Sequence, residues 1–205
     1  MTEIRHGVGK SVFDSAAERY HRALRSLRES GDSDSVICRF PWQTKVAFQE
    51  LLQLAIDTQK RSRGVVVRVL TGSFCSEVYG PPVAEKFEQF LAAGGDVRII
   101  VWNDSYAKSE WLIRSLERQG KLECRISGTT ENGEKLSHLF VVGKDAYRLE
   151  SPHPAYRELK VTDSEPEILS RICFSDSKGA AILAKYFDDL WRLCEVRSRL
   201  EEATT

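Results

Sequence analysis

Gly64-Val65-Val66-Val67-Arg68-Val69-Leu70-Thr71-Gly72-Ser73 is a β-branched run closed at both ends by small turn-forming residues. Side chains branched at Cβ suit a pleated backbone, and a run apolar on both faces reads as a strand buried on both sides. Pro81-Pro82 then opens a helical stretch that carries Val83, Phe87, Phe90 and Leu91 on one side and stops at Gly94-Gly95. Asp96 to Trp102 is a second strand, Ser109 to Gln119 a helix with Trp111, Leu112, Ile113 and Leu116, and Leu122 to Ile126 a short third strand. Strand, helix, strand, helix, strand is the order of a parallel sheet with crossover helices.

Outward from this centre the rhythm changes. Ser137 to Val142 and Ala146 to Glu150 are strand-like and joined by Gly143-Lys144-Asp145, the pattern of a hairpin. Tyr156 to Val161 and Ile168 to Phe174 add further strand candidates. An amphipathic helix is expected from about Lys178 to Leu200, with Ile182, Leu183, Tyr186, Phe187, Leu190, Trp191 and Leu193 on its buried side. Toward the N-terminus, Phe13, Ala16, Ala17, Tyr20, Ala23, Leu24 and Leu27 recur at helical spacing, and a second helix is expected from Trp42 to about Gln59. Gly31-Asp32-Ser33-Asp34-Ser35 breaks the two apart. The expected fold class is therefore α/β, a mixed and mostly parallel sheet flanked by helices, with an N-terminal helical pair. Residues 1–63 form the helical region and 64–205 the α/β domain.

The 205 residues are 41% hydrophobic and 29% charged, ample for a sizeable core. Thirty Lys and Arg balance thirty Asp and Glu, which excludes a polybasic binder that relies on bulk charge and leaves room for a local basic face. No apolar run approaches the ~20 residues that span a bilayer. The first ten residues lack the apolar core of a secretory signal. Cys38, Cys75, Cys124, Cys173 and Cys194 are scattered, without C-x-x-C spacing, which points to reduced thiols and a cytoplasmic location. Four histidines, His6, His21, His138 and His153, offer no metal-ligand spacing. Nucleotide-phosphate, dinucleotide and serine-hydrolase motifs are missing, so no cofactor is expected.

Ser137-His138-Leu139-Phe140-Val141-Val142-Gly143-Lys144-Asp145 places His138 and Asp145 seven apart across a strand and its turn. This resembles the H-x-K-x-x-x-x-D motif of the phospholipase D superfamily, with Phe140 where the lysine belongs. The order of elements from about 64 to 195, including the closing Tyr186-Phe187-Asp188-Asp189-Leu190-Trp191, is similar to that family too. The resemblance implies a phospholipase D-like α/β domain with a single eroded motif, metal-free phosphodiester chemistry where activity survives, and a homodimer, because two motif copies build one site. In that chemistry one histidine attacks phosphorus while lysines stabilise the charge on the phosphoryl oxygens. Phe140 supplies neither donor nor charge. A second register, with the family's turn aligned at Val142-Gly143 or Gly143-Lys144, puts the histidine position near Leu136 or Ser137 and His138 close to the lysine slot, and retains no catalytic group.

The resemblance assigns His138 as nucleophile and Asp145 as the group that orients the partner histidine, if the site is active. Arg148, Ser151, His153 and Arg157 form a candidate anion site, in which Glu150 stands where the family has glycine. Arg19, Arg22, Arg25 and Arg28 recur at i, i+3 and mark either a solvated helix face or a partner face. Three functions follow as alternatives. The first is a non-catalytic binding or regulatory protein, such as a bacterial accessory or defence-system component, with a protein partner at the N-terminal helices. The second is a metal-independent phosphodiesterase, nuclease or phospholipase, acting as a homodimer through His138. The third is a nucleic-acid-binding regulator.

Overall fold

Helix α1 (Val12–Ser30) leads into a short strand β1 (Ser35–Cys38) and the long helix α2 (Pro41–Ser62). The β-branched run becomes β2 (Val66–Thr71), followed by the single turn α3 (Ser76–Tyr79), α4 (Pro81–Ala92), β3 (Asp96–Trp102), α5 (Tyr106–Glu117) and β4 (Lys121–Ser127). The hairpin β5 (His138–Val142) and β6 (Ala146–Glu150) comes next, then β7 (Ser170–Cys173), α6 (Ser177–Leu193) and β8 (Glu195–Val196). This computed structural model describes residues 12–72, 74, 76–102, 106–127, 136–152 and 169–196.

The eight strands among the described residues join one sheet in the order β1-β7-β6-β5-β2-β3-β4-β8. The mixed sheet flanked by helices is as expected, but its balance is not mostly parallel. Only β2–β3 and β3–β4 run parallel, and the remaining five pairs are antiparallel. The reason is connectivity. A parallel pair needs a crossover, which α4 and α5 supply, whereas β5 returns to β6 through a three-residue turn and must pair antiparallel. Gly143 takes φ 56° in that turn, a left-handed conformation that side chains resist.

Side-chain alternation divides the sheet into two faces. On one, Val67, Val69, Val97, Ile99, Phe140, Val142 and Ile172 pack with Leu24 of α1, Leu51, Leu52 and Ile56 of α2, Phe87 and Phe90 of α4, and Leu112 and Leu116 of α5. On the other, Leu70, Ile100, Leu139, Val141, Tyr147 and Cys173 meet α6 through Ala180, Phe187 and Trp191. One core and one sheet thus cross position 63/64. The close seam between α4 and β3 explains Gly95, where a Cβ would stand 2.3 Å from the Phe90 ring.

Two details of α6 differ from the sequence reading. The helix gives way to β8 at Glu195, and Ile182 and Leu193 are 69% and 81% exposed rather than buried. A single helix on a sheet touches it along a narrow stripe, here Ala180, Phe187 and Trp191. The expected strand at 156–161 lies outside the described residues.

Candidate functional site

The motif segment falls on β5 as the alternation required. His138 starts the strand, half-buried, and its ring faces the same side as Phe140 and Val142. At its level, strand pairing lines up Thr71 at the end of β2, Glu150 on β6, Ser170 on β7 and Cys38 on β1. The Thr71 hydroxyl lies 3.4 Å from His138 Nδ1. One step down the sheet, Phe140 stands opposite Arg148.

This polar row is closed over by α1 and α2. Arg148 is buried, ion-paired with the equally buried Glu150, and donates to the Thr44 hydroxyl at 2.9 Å. Its guanidinium carbon sits 5.1 Å from the Phe48 ring centre. The Tyr20 hydroxyl is 2.5 Å from Cys38 Sγ. Burial pushes both the Tyr20 hydroxyl and the Cys38 thiol above their ordinary ranges, the Cys38 shift being opposed by Tyr20, Arg148 and Ser170 nearby. These groups hold their protons and are poor nucleophiles at neutral pH.

Phe140, which the sequence resemblance sets against the family's lysine, is 1% exposed. Its ring centre lies 4.8 Å from that of Phe48 and 6.0 Å from that of Phe87. The cation on this face is Arg148, whose charge Glu150 offsets.

The other sequence candidates are dispersed. Asp145 is exposed in the β5–β6 turn, and its carbonyl accepts from Asp176 N–H at 2.7 Å. Val142 lies four residue steps along β5 from His138, about 13 Å of extended chain. The structure therefore keeps His138 and Asp145 at opposite ends of the strand. Of the candidate anion site, Arg148 is committed inside and Ser151 is exposed beyond β6, while His153 and Arg157 lie outside the described residues. Of the arginine stripe, Arg19 and Arg22 are exposed. Arg28 is turned onto α2, donating to Glu50 at 2.7 Å and Asp57 at 2.8 Å, and Arg25 lies 3.8 Å from Glu50. His21 also reaches Glu50, at 2.6 Å. Half of the stripe is thus a latch between α1 and α2.

Sequence reasoning missed Thr44, Thr71 and Ser170, and read Glu150 only as a departure from the family. A signal was available: Arg148 and Glu150 alternate on a strand whose neighbour carries His138 and Phe140 at the matching spacing. Among the described residues no three His, Cys, Asp or Glu side chains come together as a metal-binding set, and no helix is long and apolar enough to cross a membrane.

No family model matches the sequence, and no curated protein does either. Solved structures do match the fold. A phospholipase D family member, Nuc from Salmonella typhimurium, is similar with a TM-score of 0.55 and 15% identity, over 80% of this chain and 97% of Nuc. Polyphosphate kinase from Porphyromonas gingivalis is similar with a TM-score of 0.53 and 14% identity, over 82% of this chain and 27% of the kinase. TrmBL2, an archaeal chromatin protein described as showing a novel mode of DNA binding, is similar with a TM-score of 0.52 and 10% identity, over 90% of this chain and 63% of that one. The chain thus spans less than two thirds of TrmBL2 and of the kinase, and nearly all of Nuc. At these identities the likeness defines a fold, and that fold is phospholipase D-like.

Proposed function

We propose that the chain is a non-catalytic binding and regulatory module built on a phospholipase D-like fold, its phosphodiester site eroded. The observation that carries this reading is Phe140, packed into the aromatic core where the sequence resemblance would place a lysine. The buried Arg148–Glu150 pair supports it, because it sets a carboxylate on the face where an anionic substrate would bind. Loss of one charge-stabilising donor commonly costs about 10²–10³ in rate, and a homodimer would lose it twice.

The test is metal-free turnover of a generic phosphodiester, single-stranded DNA and phosphatidylcholine by wild type and His138→Ala. The two proteins are expected to be equally inactive. Turnover that disappears with His138 would establish the phosphodiesterase alternative and sink this one.

Within the binding class, a nucleic-acid-binding regulator is favoured over a module for protein partners. The likeness to DNA-binding TrmBL2 extends over 90% of the chain, a share that cannot be reached without the N-terminal helices. The homodimer belongs to the same proposal, and sedimentation equilibrium reads it directly.

A further inference from the structure

At the end of the sheet opposite His138, α2 runs out into Lys60-Arg61-Ser62-Arg63-Gly64. Lys60, Arg61 and Arg63 are exposed, and no described carboxylate is within ion-pair distance of any of them. The hairpin turn of β5 and β6 comes up beside this segment: Gly143 N–H donates to the Val66 carbonyl at 3.0 Å. The turn adds Lys144, also exposed and also without an ion pair among the described residues. Most acids nearby are engaged. Asp96 holds Lys121 at 2.7 Å, Asp57 takes Arg28 at 2.8 Å, and Asp176 caps α6; Asp145 stays exposed. A chain of zero net charge thus gathers at one end four cations that have no ion pair among the described residues.

The backbone carries a second, independent sign. Arg63 has φ 53° and ψ 167°, and it is the one non-glycine with positive φ among the described residues. That region is essentially reserved for glycine. The turn is fixed from beneath by the buried Gln59. Its Oε1 accepts Val65 N–H at 2.9 Å, its Nε2 donates to the Gly94 carbonyl at 3.0 Å, and its own carbonyl accepts Arg63 N–H at 3.1 Å. Glycine would serve folding better at 63. Basic residues in the last turn of a helix offset its dipole, which accounts for Lys60 and Arg61. It does not account for a large cation held in a strained conformation beyond the helix end.

We infer that Lys60, Arg61, Arg63 and Lys144 form a surface for the phosphate backbone of a nucleic acid, at the opposite end of the sheet from the eroded site. This rests on the nucleic-acid-binding reading and assigns its contact surface. Guanidinium forks match phosphate oxygens in pairs. Neither 60–64 nor 143–145 offers an apolar side chain to enter a lipid interface, which such binding normally requires. Asp145 among the cations makes the array spaced rather than uniform, which suits separate phosphates.

The experiment is fluorescence anisotropy of the full chain with labelled, mixed-sequence oligonucleotides (duplex DNA, single-stranded DNA and single-stranded RNA) across a salt series. Four duplex contacts give a log–log salt slope of about −3.6, an affinity loss of about 150-fold between 50 and 200 mM salt. Lys60→Gln/Arg61→Gln/Arg63→Gly leaves a slope of about −0.9 and a loss of only about 3- to 4-fold. Arg63→Gly alone is expected to keep or raise the thermal midpoint, which separates lost binding from lost folding. A lowered midpoint would make Arg63 a structural residue and overturn the assignment. So would an equal flattening by Arg19→Gln/Arg22→Gln on α1, or binding that the triple variant retains. Wild type that binds no oligonucleotide at 50 mM salt also overturns it, and binding to phosphatidylserine vesicles instead would identify a lipid surface. His138-dependent turnover would sink the non-catalytic reading while leaving this surface standing, so the two failures are distinguishable.

Discussion

Two residues beyond His138, on the same face of β5, the Phe140 ring meets Phe48 at 4.8 Å and Phe87 at 6.0 Å, a position with no room for hydration. Truncation there leaves a cavity, and Phe140→Ala is expected to lose about 3–5 kcal/mol in urea unfolding. Phe140→Lys, which rewrites the family motif, is expected to destabilise the protein without producing phosphodiesterase turnover, because its ammonium would be buried among aromatic rings. The neighbouring Arg148–Glu150 pair follows a related logic. Arg148→Ala strands a buried carboxylate and is expected to cost about 3–5 kcal/mol. Replacing both with apolar residues of similar volume, Arg148→Met with Glu150→Leu, is expected to be neutral or stabilising in the same unfolding measurement. A double variant as unstable as Arg148→Ala would show that the pair is needed for more than mutual neutralisation.

Helix α6 begins on a cap that responds to pH. Asp176 accepts Gly179 N–H at 2.9 Å and the Tyr147 hydroxyl at 2.9 Å, and these bonds, Gly179 first, hold its carboxyl below the ordinary range. A folded-state pKa below the unfolded one stabilises the fold fully above the unfolded value of about 3.9, and the gain fades as pH falls through the folded value. Asp176→Ala should therefore lower the thermal midpoint at pH 7, and the gap from wild type should narrow as pH drops below about 4. A constant gap would assign the effect to packing against Tyr147. At this scale much of the fold was legible. The strands at 66–71, 96–102 and 121–127 announce themselves as β-branched or alternating runs between turn residues. Strand β1 did not, because Ser35-Val36-Ile37-Cys38 is four residues long and takes its strand character from pairing with β7. Helical spacing placed Ile182 and Leu193 on the inner side of α6, yet spacing cannot say how wide a stripe the sheet covers. At the site, His138 and Phe140 were legible as neighbours on one face. The opposition of Glu150 to His138 follows from the three-residue turn of the hairpin, whereas the alignment of Ser170 and Cys38 with them was not legible, since pairing between strands distant in sequence lies in no local pattern.

Across the whole molecule, the region before position 63 and the sheet after it share one interior. Leu24, Phe48, Leu51, Leu52 and Ile56 come from α1 and α2, and each is no more than 3% exposed against the sheet. At about 1.5–3 kcal/mol for each large apolar side chain, these five contribute about 10 kcal/mol, comparable to the roughly 5–15 kcal/mol net stability of a typical protein. The polar side is shared too. Thr44 accepts from Arg148 across 104 residues of sequence, and β1 pairs with β7. Removing residues 1–63 would expose the Phe140 face, leave Arg148 without Thr44 and Phe48, and uncover the β7 edge. A fragment of 64–205 is therefore expected to show no cooperative thermal transition, while the full chain unfolds in one step, with circular dichroism and tryptophan fluorescence coincident. A fragment that melts cooperatively near the full-length midpoint would establish a domain boundary at 63. It would also recast α1 and α2 as an attachment carrying the Lys60, Arg61 and Arg63 surface on its own.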